Sequence, residues 1–484
     1  MSNNKLQKYI NGRSCAILGL GVSNLPLAEI ILSSGAPLTI IDKKSVSELG
    51  DSALELQKRG ARFVADASFA NIDGELIFRS PGIRPDIDGI KKATSLGAEL
   101  TSETELFMKL TDATTYAITG SDGKTTTTTL TGKFLEAQTK LNCKGRVFVG
   151  GNIGNPLLPV CSNMTSDDTA VLELSSFQLM TFSRASKYAA ITNLSPNHLD
   201  WHKGGMLEYE EAKRKMIGKE TIRVVLNAES EVTARIALEE LERAEREIIV
   251  FSSKRTKEEL CEFTKTLGAK KGLLRLVFER NGVIVISDGE HEEELLCVSD
   301  IVLPGRHNVE NYMTAMALTY GNVQKTVYTD IAKSFGGVEH RLQLVRTLDG
   351  VDYYNSSIDS SPSRTAAALS ALHGRDIVII CGGYDKKIPF EPLAKSLCQS
   401  ARAVVLTGAT GDKIKETILS CPDFDPQKLT VVSNLDFEGA VNDARRLATA
   451  GGCVLLSPAC ASFDAFKNFV ERGKRFCDIV NGWV

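Results

Sequence analysis

Short apolar runs ending in glycine alternate with stretches of helical apolar spacing along most of the chain. Ser14-Cys-Ala-Ile-Leu-Gly19-Leu-Gly21 predicts a strand and a glycine turn, Leu25 to Leu32 has the spacing of a helix, and Leu38-Thr-Ile-Ile-Asp42 predicts the next strand. Arg62-Phe-Val and Leu76-Ile-Phe read as further strands, the second leading into the turn Ser80-Pro81-Gly82. A second unit opens with Thr115-Tyr-Ala-Ile118 and a helix from Leu130 to Leu135, with later strands at Thr169–Leu172, Ala189–Thr192 and Arg223–Leu226. From Glu229 to Glu262 charged residues alternate with apolar ones spaced near four, which predicts a solvated amphipathic helix. The strand–loop–helix rhythm resumes beyond Gly337, with strands at Val351–Tyr354, Asp376–Cys381, Ala403–Leu406, Leu429–Val432 and Cys453–Ser457. The expected fold is α/β in three domains: Rossmann-like over 1–112, P-loop ATPase-like over 113–337, and Rossmann-like again over 338–484.

Composition narrows the functional classes. The 484 residues are 43% hydrophobic and 24% charged, as in ordinary globular proteins. The net charge of −3 and the lack of a basic cluster interleaved with aromatics argue against nucleic acid as a partner. Eleven cysteines without a C-x-x-C pair argue against a disulfide framework or a zinc knuckle. No apolar run approaches the ~20 residues that span a bilayer, and Met1 to Ile10 lacks the apolar centre of a leader, so a cytoplasmic protein is expected.

The strongest chemical signal is Gly120-Ser-Asp-Gly123-Lys124-Thr125-Thr126 between a strand and a helix. Glycines let backbone N–H groups face a phosphate, the helix N-terminus adds positive potential, Lys124 suits the terminal phosphates, and Thr125 offers a hydroxyl to Mg²⁺. The ordinary P-loop pattern has a glycine where this chain has Ile118. Glu173, after an apolar strand, is a candidate second ligand for Mg²⁺. His198 and His202 stand four apart, which raises zinc, but no third ligand is evident, and a structural histidine is the plain alternative. Gly19-Leu-Gly21-Val-Ser23-Asn24 replaces the last glycine of the dinucleotide fingerprint, and Asp42 falls at the ribose-binding spacing beside Lys43 and Lys44. Either a dinucleotide or a nucleotide diphosphate suits that turn.

Together these pieces, spread from Gly19 to Gly473, resemble the Mur ligase family, and within it the members that add D-glutamate. The match rests on the phosphate loop, Glu173-Leu-Ser-Ser-Phe-Gln178, His198-Leu-Asp200, Gly151-Asn152-Ile-Gly154, Gly305-Arg-His-Asn308-Val-Glu-Asn311, Glu339-His-Arg341 and Leu456-Ser-Pro-Ala-Cys-Ala-Ser462-Phe-Asp-Ala-Phe-Lys-Asn-Phe469. The resemblance implies ATP and Mg²⁺ at two sites as cofactors, with UDP-N-acetylmuramoyl-L-alanine and D-glutamate as substrates, joined through an acyl phosphate. It implies catalytic roles for Lys124, Glu173, His198 and Lys213, with Lys213 converted by CO₂ to a carbamate that holds metal beside Thr125, Glu173 and His198. Asn311 matches an adenine contact, and Arg341 an arginine that reaches ATP from the third domain, implying domain closure. Nucleotide-sugar contacts fall on Ser23, Asp42, Lys43, Lys44 and Ser80 in the first domain, and Asn152 and Ser175 match further substrate-binding positions. Lys386 and Ser462 match contacts to the amino acid's carboxylates, Phe469 a contact to its aliphatic chain, and Ser360 a substrate-binding hydroxyl. A monomer acting in peptidoglycan precursor synthesis, without membrane or nucleic-acid partner, is the corresponding expectation.

The chain departs from the family's pattern in places. Asn355-Ser356-Ser357-Ile358 stands where Asn-Asp-Ser-Lys is usual, Ser121-Asp122 where Thr-Asn is usual, and Asn197 where some relatives carry aspartate. Competing readings are a folylpolyglutamate synthetase, which shares the phosphate loop, a silent nucleotide-sugar sensor, and a nicotinamide dehydrogenase built on the first domain.

Overall fold

The computed structural model describes residues 5–21, 23–243, 245–265, 273–385 and 388–483. Lys386, expected to bind a carboxylate, lies outside the described residues. Residues 1–300 with 309–331 form one compact unit, and 301–308 with 332–484 form a second.

The first unit holds two sheets. In the smaller, β1 (Cys15–Leu18), β2 (Leu38–Asp42), β3 (Arg62–Ala65), β4 (Leu76–Arg79) and β5 (Glu99–Thr101) run parallel in the order β3-β2-β1-β4-β5. The chain reverses direction across the sheet at β1, so a crevice opens at its carboxyl edge, where open α/β sheets bind ligands. The larger sheet comprises β6 (Thr114–Thr119), β7 (Val147–Gly151), β8 (Thr169–Glu173), β9 (Tyr188–Ile191), β10 (Arg223–Asn227), β11 (Glu247–Phe251), β12 (Leu274–Arg280), β13 (Val283–Ser287) and β14 (Glu292–Cys297). Their order is β14-β13-β12-β11-β10-β9-β6-β8-β7, parallel from β7 to β12, with β13 and β14 added as antiparallel hairpins. β6, which carries the phosphate loop, lies between β9 and β8 at this sheet's own switch point.

The single amphipathic helix expected over Glu229–Glu262 is not what forms. Helices Glu231–Arg243 and Lys257–Lys265 flank the strand β11. Ile248, Ile249, Val250 and Phe251 are all fully buried. An amphipathic helix with one solvated face would turn at least one of four consecutive residues to water, whereas a parallel strand covered on both faces buries them all. Each fully buried side chain of this kind contributes about 1.5–3 kcal/mol.

The second unit has one six-stranded sheet, from β15 (Gln343–Leu348), β16 (Val351–Asn355), β17 (Ile377–Gly382), β18 (Ala403–Thr407), β19 (Thr430–Ser433) and β20 (Cys453–Leu456). The order is β15-β16-β20-β17-β18-β19, with only the β15–β16 pairing antiparallel. Residues of β17 alternate between two cores: Ile377, Ile379 and Cys381 enter one, Val378 and Ile380 the other. No helix among the described residues is long and apolar enough to cross a membrane.

Candidate active site

β6 delivers the chain into Gly120–Gly123, and the helix Lys124–Asn142 starts immediately after. Gly120 and Gly123 adopt φ of 151° and 78°. A Cβ at either would overlap a neighbour, Thr192 Oγ1 in the first case and Asn311 Oδ1 in the second, so these positions require glycine on two counts. Ile118 explains the missing glycine of the ordinary P-loop: it is a fully buried residue inside β6, registered against Glu173 and Ala190, and the loop begins two residues later. The loop is held by Asn193, whose carbonyl and side-chain oxygens accept the N–H groups of Ser121 and Asp122 at 2.9 Å each. Thr192 donates its hydroxyl to the Asp122 carbonyl at 2.5 Å, while the Asp122 side chain is exposed. Lys124 folds its Nζ onto the Gly120 and Ser121 carbonyls at 3.0 and 2.8 Å. Thr125 and Thr126 occupy the first helical turn, which no side chain caps, leaving the N-terminal end of a 19-residue helix as an anion site. Asn311 accepts the Thr127 hydroxyl at 3.3 Å, which seats it against this turn.

Glu173 ends β8 and is 1% exposed. Its Oε1 accepts Asn152 Nδ2 at 2.7 Å, and its Oε2 is buried without a hydrogen-bond partner. An orphaned buried carboxylate oxygen is costly unless a cation completes it. Lys213, from the helix Gly205–Arg214, is 1% exposed and donates to Gly120 O at 2.8 Å and Thr119 Oγ1 at 3.1 Å. Burial, reinforced by the charge of Lys124, drives its pKa well below the usual lysine range despite the attraction of Glu173. Its Nζ also lies 4.7 Å from the Tyr209 ring centre, and Tyr209 hydrogen-bonds Ser121 Oγ at 3.0 Å. These residues fit a divalent cation beside a triphosphate: an unsatisfied carboxylate oxygen, a threonine hydroxyl at the helix N-terminus and a buried lysine whose pKa is lowered. Among the described residues no three His, Cys, Asp or Glu side chains converge as a metal site.

His198 is exposed, with φ of 54°, and its ring centre lies 5.0 Å from that of Phe177. Ser175 caps the short helix Ser176–Leu179 reciprocally with Gln178. His202 behaves differently from His198. It is buried, its ring nitrogens hydrogen-bond Ser176 Oγ at 3.0 Å and Glu208 at 3.2 Å, and burial lowers its pKa.

At the carboxyl edge of the smaller sheet, Asp42 accepts the N–H groups of Leu20 at 2.8 Å and Lys44 at 3.0 Å, stiffening the turn where Lys43 and Lys44 are exposed. Asn24 is buried and donates to the Gly19 carbonyl at 2.8 Å, an interaction a third glycine cannot make. Ser80 packs against Gly19, where a Cβ would come within 3.0 Å of its own Cβ, and Ser23 precedes the helix Asn24–Ser33 without capping it.

Sequence reasoning missed two arginines that brace this edge. Arg79 is fully buried at the end of β4 and donates to the carbonyls of Pro81, Ile83 and Phe177, with burial lowering its pKa to about 10. Arg84 binds Asp86 and Glu208 bidentately and packs 4.9 Å from the Trp201 ring centre. An arginine two residues beyond Ser80-Pro81-Gly82 was a visible signal; its partner Glu208, 124 residues away, was not.

In the second unit Arg341 is exposed between His340 and Leu342. Ser360 is half-buried, Ser462 is buried, and Phe469 begins the helix Phe469–Gly482 with its ring 5.9 Å from that of His340. Arg472, also unanticipated, is buried and bonds Ser357 Oγ and the carbonyls of Ser357, Cys460 and Ala461, pinning the segment before Ser462.

A phosphate loop backed by a buried carboxylate and a buried lysine of lowered pKa is the equipment of an ATP-dependent ligase, and the chain belongs to the Mur ligase family. Residues 118–319 match the Mur ligase middle domain and 340–460 the Mur ligase, glutamate ligase domain. Among its relatives, the UDP-N-acetylmuramoylalanine--D-glutamate ligase of Clostridium beijerinckii is 40% identical over 99% of this chain and 98% of its own length. The enzyme of the same name from Acetivibrio thermocellus is 39% identical with the same coverage. In fold, the chain is similar to a UDP-N-acetylmuramate-alanine ligase from Thermotoga maritima, with TM-score 0.54 and 18% identity over 97% of this chain and 99% of that one.

Proposed function

We propose that the chain is an ATP-dependent ligase that joins the L-alanyl carboxylate of UDP-N-acetylmuramoyl-L-alanine to the amine of D-glutamate, releasing ADP and phosphate. The observation that carries this reading is the grouping of the phosphate loop, the incompletely bonded Glu173 and the buried Lys213 at one edge of the larger sheet. Relatives of nearly equal length that bear the name of this activity support the choice of substrates.

In the reaction the alanyl carboxylate takes the γ-phosphoryl group, giving an acyl phosphate, and the amine of D-glutamate displaces phosphate from it. Loop N–H groups and Lys124 balance charge on the transferring group, and Arg341 adds a second cation to it. Thr125, Glu173 and His198 would hold Mg²⁺, which would screen phosphate charge, and Lys213 would contribute to a second such site. As a free amine, Lys213 condenses with CO₂ to a carbamate and releases a proton, converting a would-be cation into an anion for that site. Asn152 orients Glu173. Ser23, Asp42, Lys43, Lys44, Ser80 and Ser175 take the nucleotide sugar, while Ser360, Lys386, Ser462 and Phe469 take the amino acid. The enzyme acts as a cytoplasmic monomer in peptidoglycan precursor synthesis.

Mass spectrometry of a complete reaction tests the assignment: a product heavier than the nucleotide sugar by one glutamate less water, formed in equal amount to ADP, is expected. ADP without that product contradicts it.

A further inference from the structure

The second unit contains a buried carboxylate that the proposed reaction leaves unused. Asp359 is 7% exposed, and burial raises its pKa against hydrogen bonds from Ser356 and Ser457 and the charges of Arg341 and Arg364. Ser457 donates its hydroxyl to Asp359 Oδ2 at 2.9 Å. Ser356 is buried as well, and its Oγ accepts the N–H of Leu342 at 3.1 Å. A hydroxyl gives one proton and receives others, so Ser356 donates to Asp359 while accepting from Leu342.

Leu342 directly follows Arg341. The loop bearing Arg341 is strained: His340 has φ of 64° and Leu342 φ of 41°, left-handed conformations that branched and ring side chains adopt only when their surroundings enforce them. The segment 355–359 supplies that enforcement at three points. Ile358 N–H donates to the His340 carbonyl at 3.1 Å, Asn355 Nδ2 lies 2.9 Å from His340 Nδ1, and Ser356 holds Leu342. The carboxylate that the family's pattern leads one to expect at 356 stands in this chain at 359, one hydroxyl away from the same loop.

We propose that Ser356, braced by Asp359, is a positioning residue for Arg341, fixing the loop that presents its guanidinium to the transferring phosphoryl group. This rests on the role given to Arg341 in the proposed reaction. Steady-state kinetics of the full-length chain with ATP, Mg²⁺, nucleotide sugar and D-glutamate test it, using Arg341→Ala, Ser356→Ala, Ser356→Thr, Asp359→Asn and the double variant Arg341→Ala/Ser356→Ala. Ser356→Ala is expected to lower kcat about tenfold with KM for D-glutamate within about twofold, and Ser356→Thr, which keeps the hydroxyl, to recover most of the loss. In the Arg341→Ala background, Ser356→Ala should add less than about a twofold further loss, because residues acting through one group are not additive. Multiplicative losses, or a threonine variant as poor as the alanine variant, overturn the inference. If Ser356→Ala does not fold, Asp359→Asn carries the same expectation alone and in the Arg341→Ala background. Arg341→Ala at parental activity removes the role given to Arg341 itself; an impaired Arg341→Ala beside unimpaired Ser356→Ala and Asp359→Asn removes only the present inference.

Discussion

Lys213 Nζ lies 2.8 Å from the carbonyl oxygen of Gly120, in surroundings that leave the lysine 1% exposed. An ammonium there has lost its water and faces Lys124, so the neutral amine is favoured. A neutral amine is the form that reacts with CO₂. Activity should therefore fall in CO₂-stripped buffer and return on addition of bicarbonate, with a carbamate carbon signal in the native protein under ¹³C-labelled bicarbonate. Activity indifferent to CO₂, with no such signal, contradicts the carbamate.

The same burial makes Lys213 a cost to folding. A lysine whose folded pKa is depressed binds fewer protons folded than unfolded, so stability rises with pH from the folded pKa up to the unfolded value of about 10.4. At neutral pH the residue is destabilising. Lys213→Met should melt no lower than the parent while losing about 100-fold or more in activity, a trade of stability for function. A marked drop in melting temperature would show that the bonds to Thr119 and Gly120 outweigh desolvation.

Asn152 touches Glu173 at 2.7 Å from the neighbouring strand end. Partners that orient a metal-binding carboxylate typically matter by about 10- to 100-fold. Asn152→Ala is expected to lose activity by that factor and to require more Mg²⁺ for half-maximal rate, with circular dichroism unchanged. An unchanged Mg²⁺ requirement argues against the pairing.

Acid should loosen the contact between the two sheets of the first unit. Hydrogen bonds from Arg84 hold Glu208 below the usual carboxylate range and Asp86 at about 2. Depressed carboxylates stabilise above their unfolded pKa values, and that stability is lost as pH falls through the folded ones. His202, kept neutral by burial, adds a loss that begins below its unfolded pKa of about 6.5. Thermal unfolding midpoints should thus drop in two stages, first below about pH 6.5 and again from about pH 4 toward 2. Arg84→Ala should blunt the second stage; an unaltered profile contradicts this assignment.

The β1 and β17 strands were legible because each is a continuous apolar run closed by glycine, and β6 because Tyr116-Ala-Ile118 leads into the Gly120 turn. β11 was not, because Ile248 to Phe251 lie inside a charged stretch whose overall spacing reads as helix, and only covering helices on both faces of the sheet turn that run into a strand. The phosphate loop, Glu173 and Lys213 were recognised from motif and resemblance. Their electrostatic relationship was not visible, since it depends on the chain folding back so that the Lys213 helix meets the Gly120 turn, 93 positions earlier, beside the end of β8. Arg79, Arg84 and Arg472 escaped notice for a related reason: each acts through distant backbone carbonyls or carboxylates, which leave no local pattern.

Phosphate release from ATP and Mg²⁺ in the presence of UDP-N-acetylmuramoyl-L-alanine, compared with D-glutamate, with L-glutamate and with no amino acid, tests the central claim most directly. Release that requires both the nucleotide sugar and D-glutamate is the predicted result; release unaffected by omitting either, or none in any combination from folded protein, would contradict it.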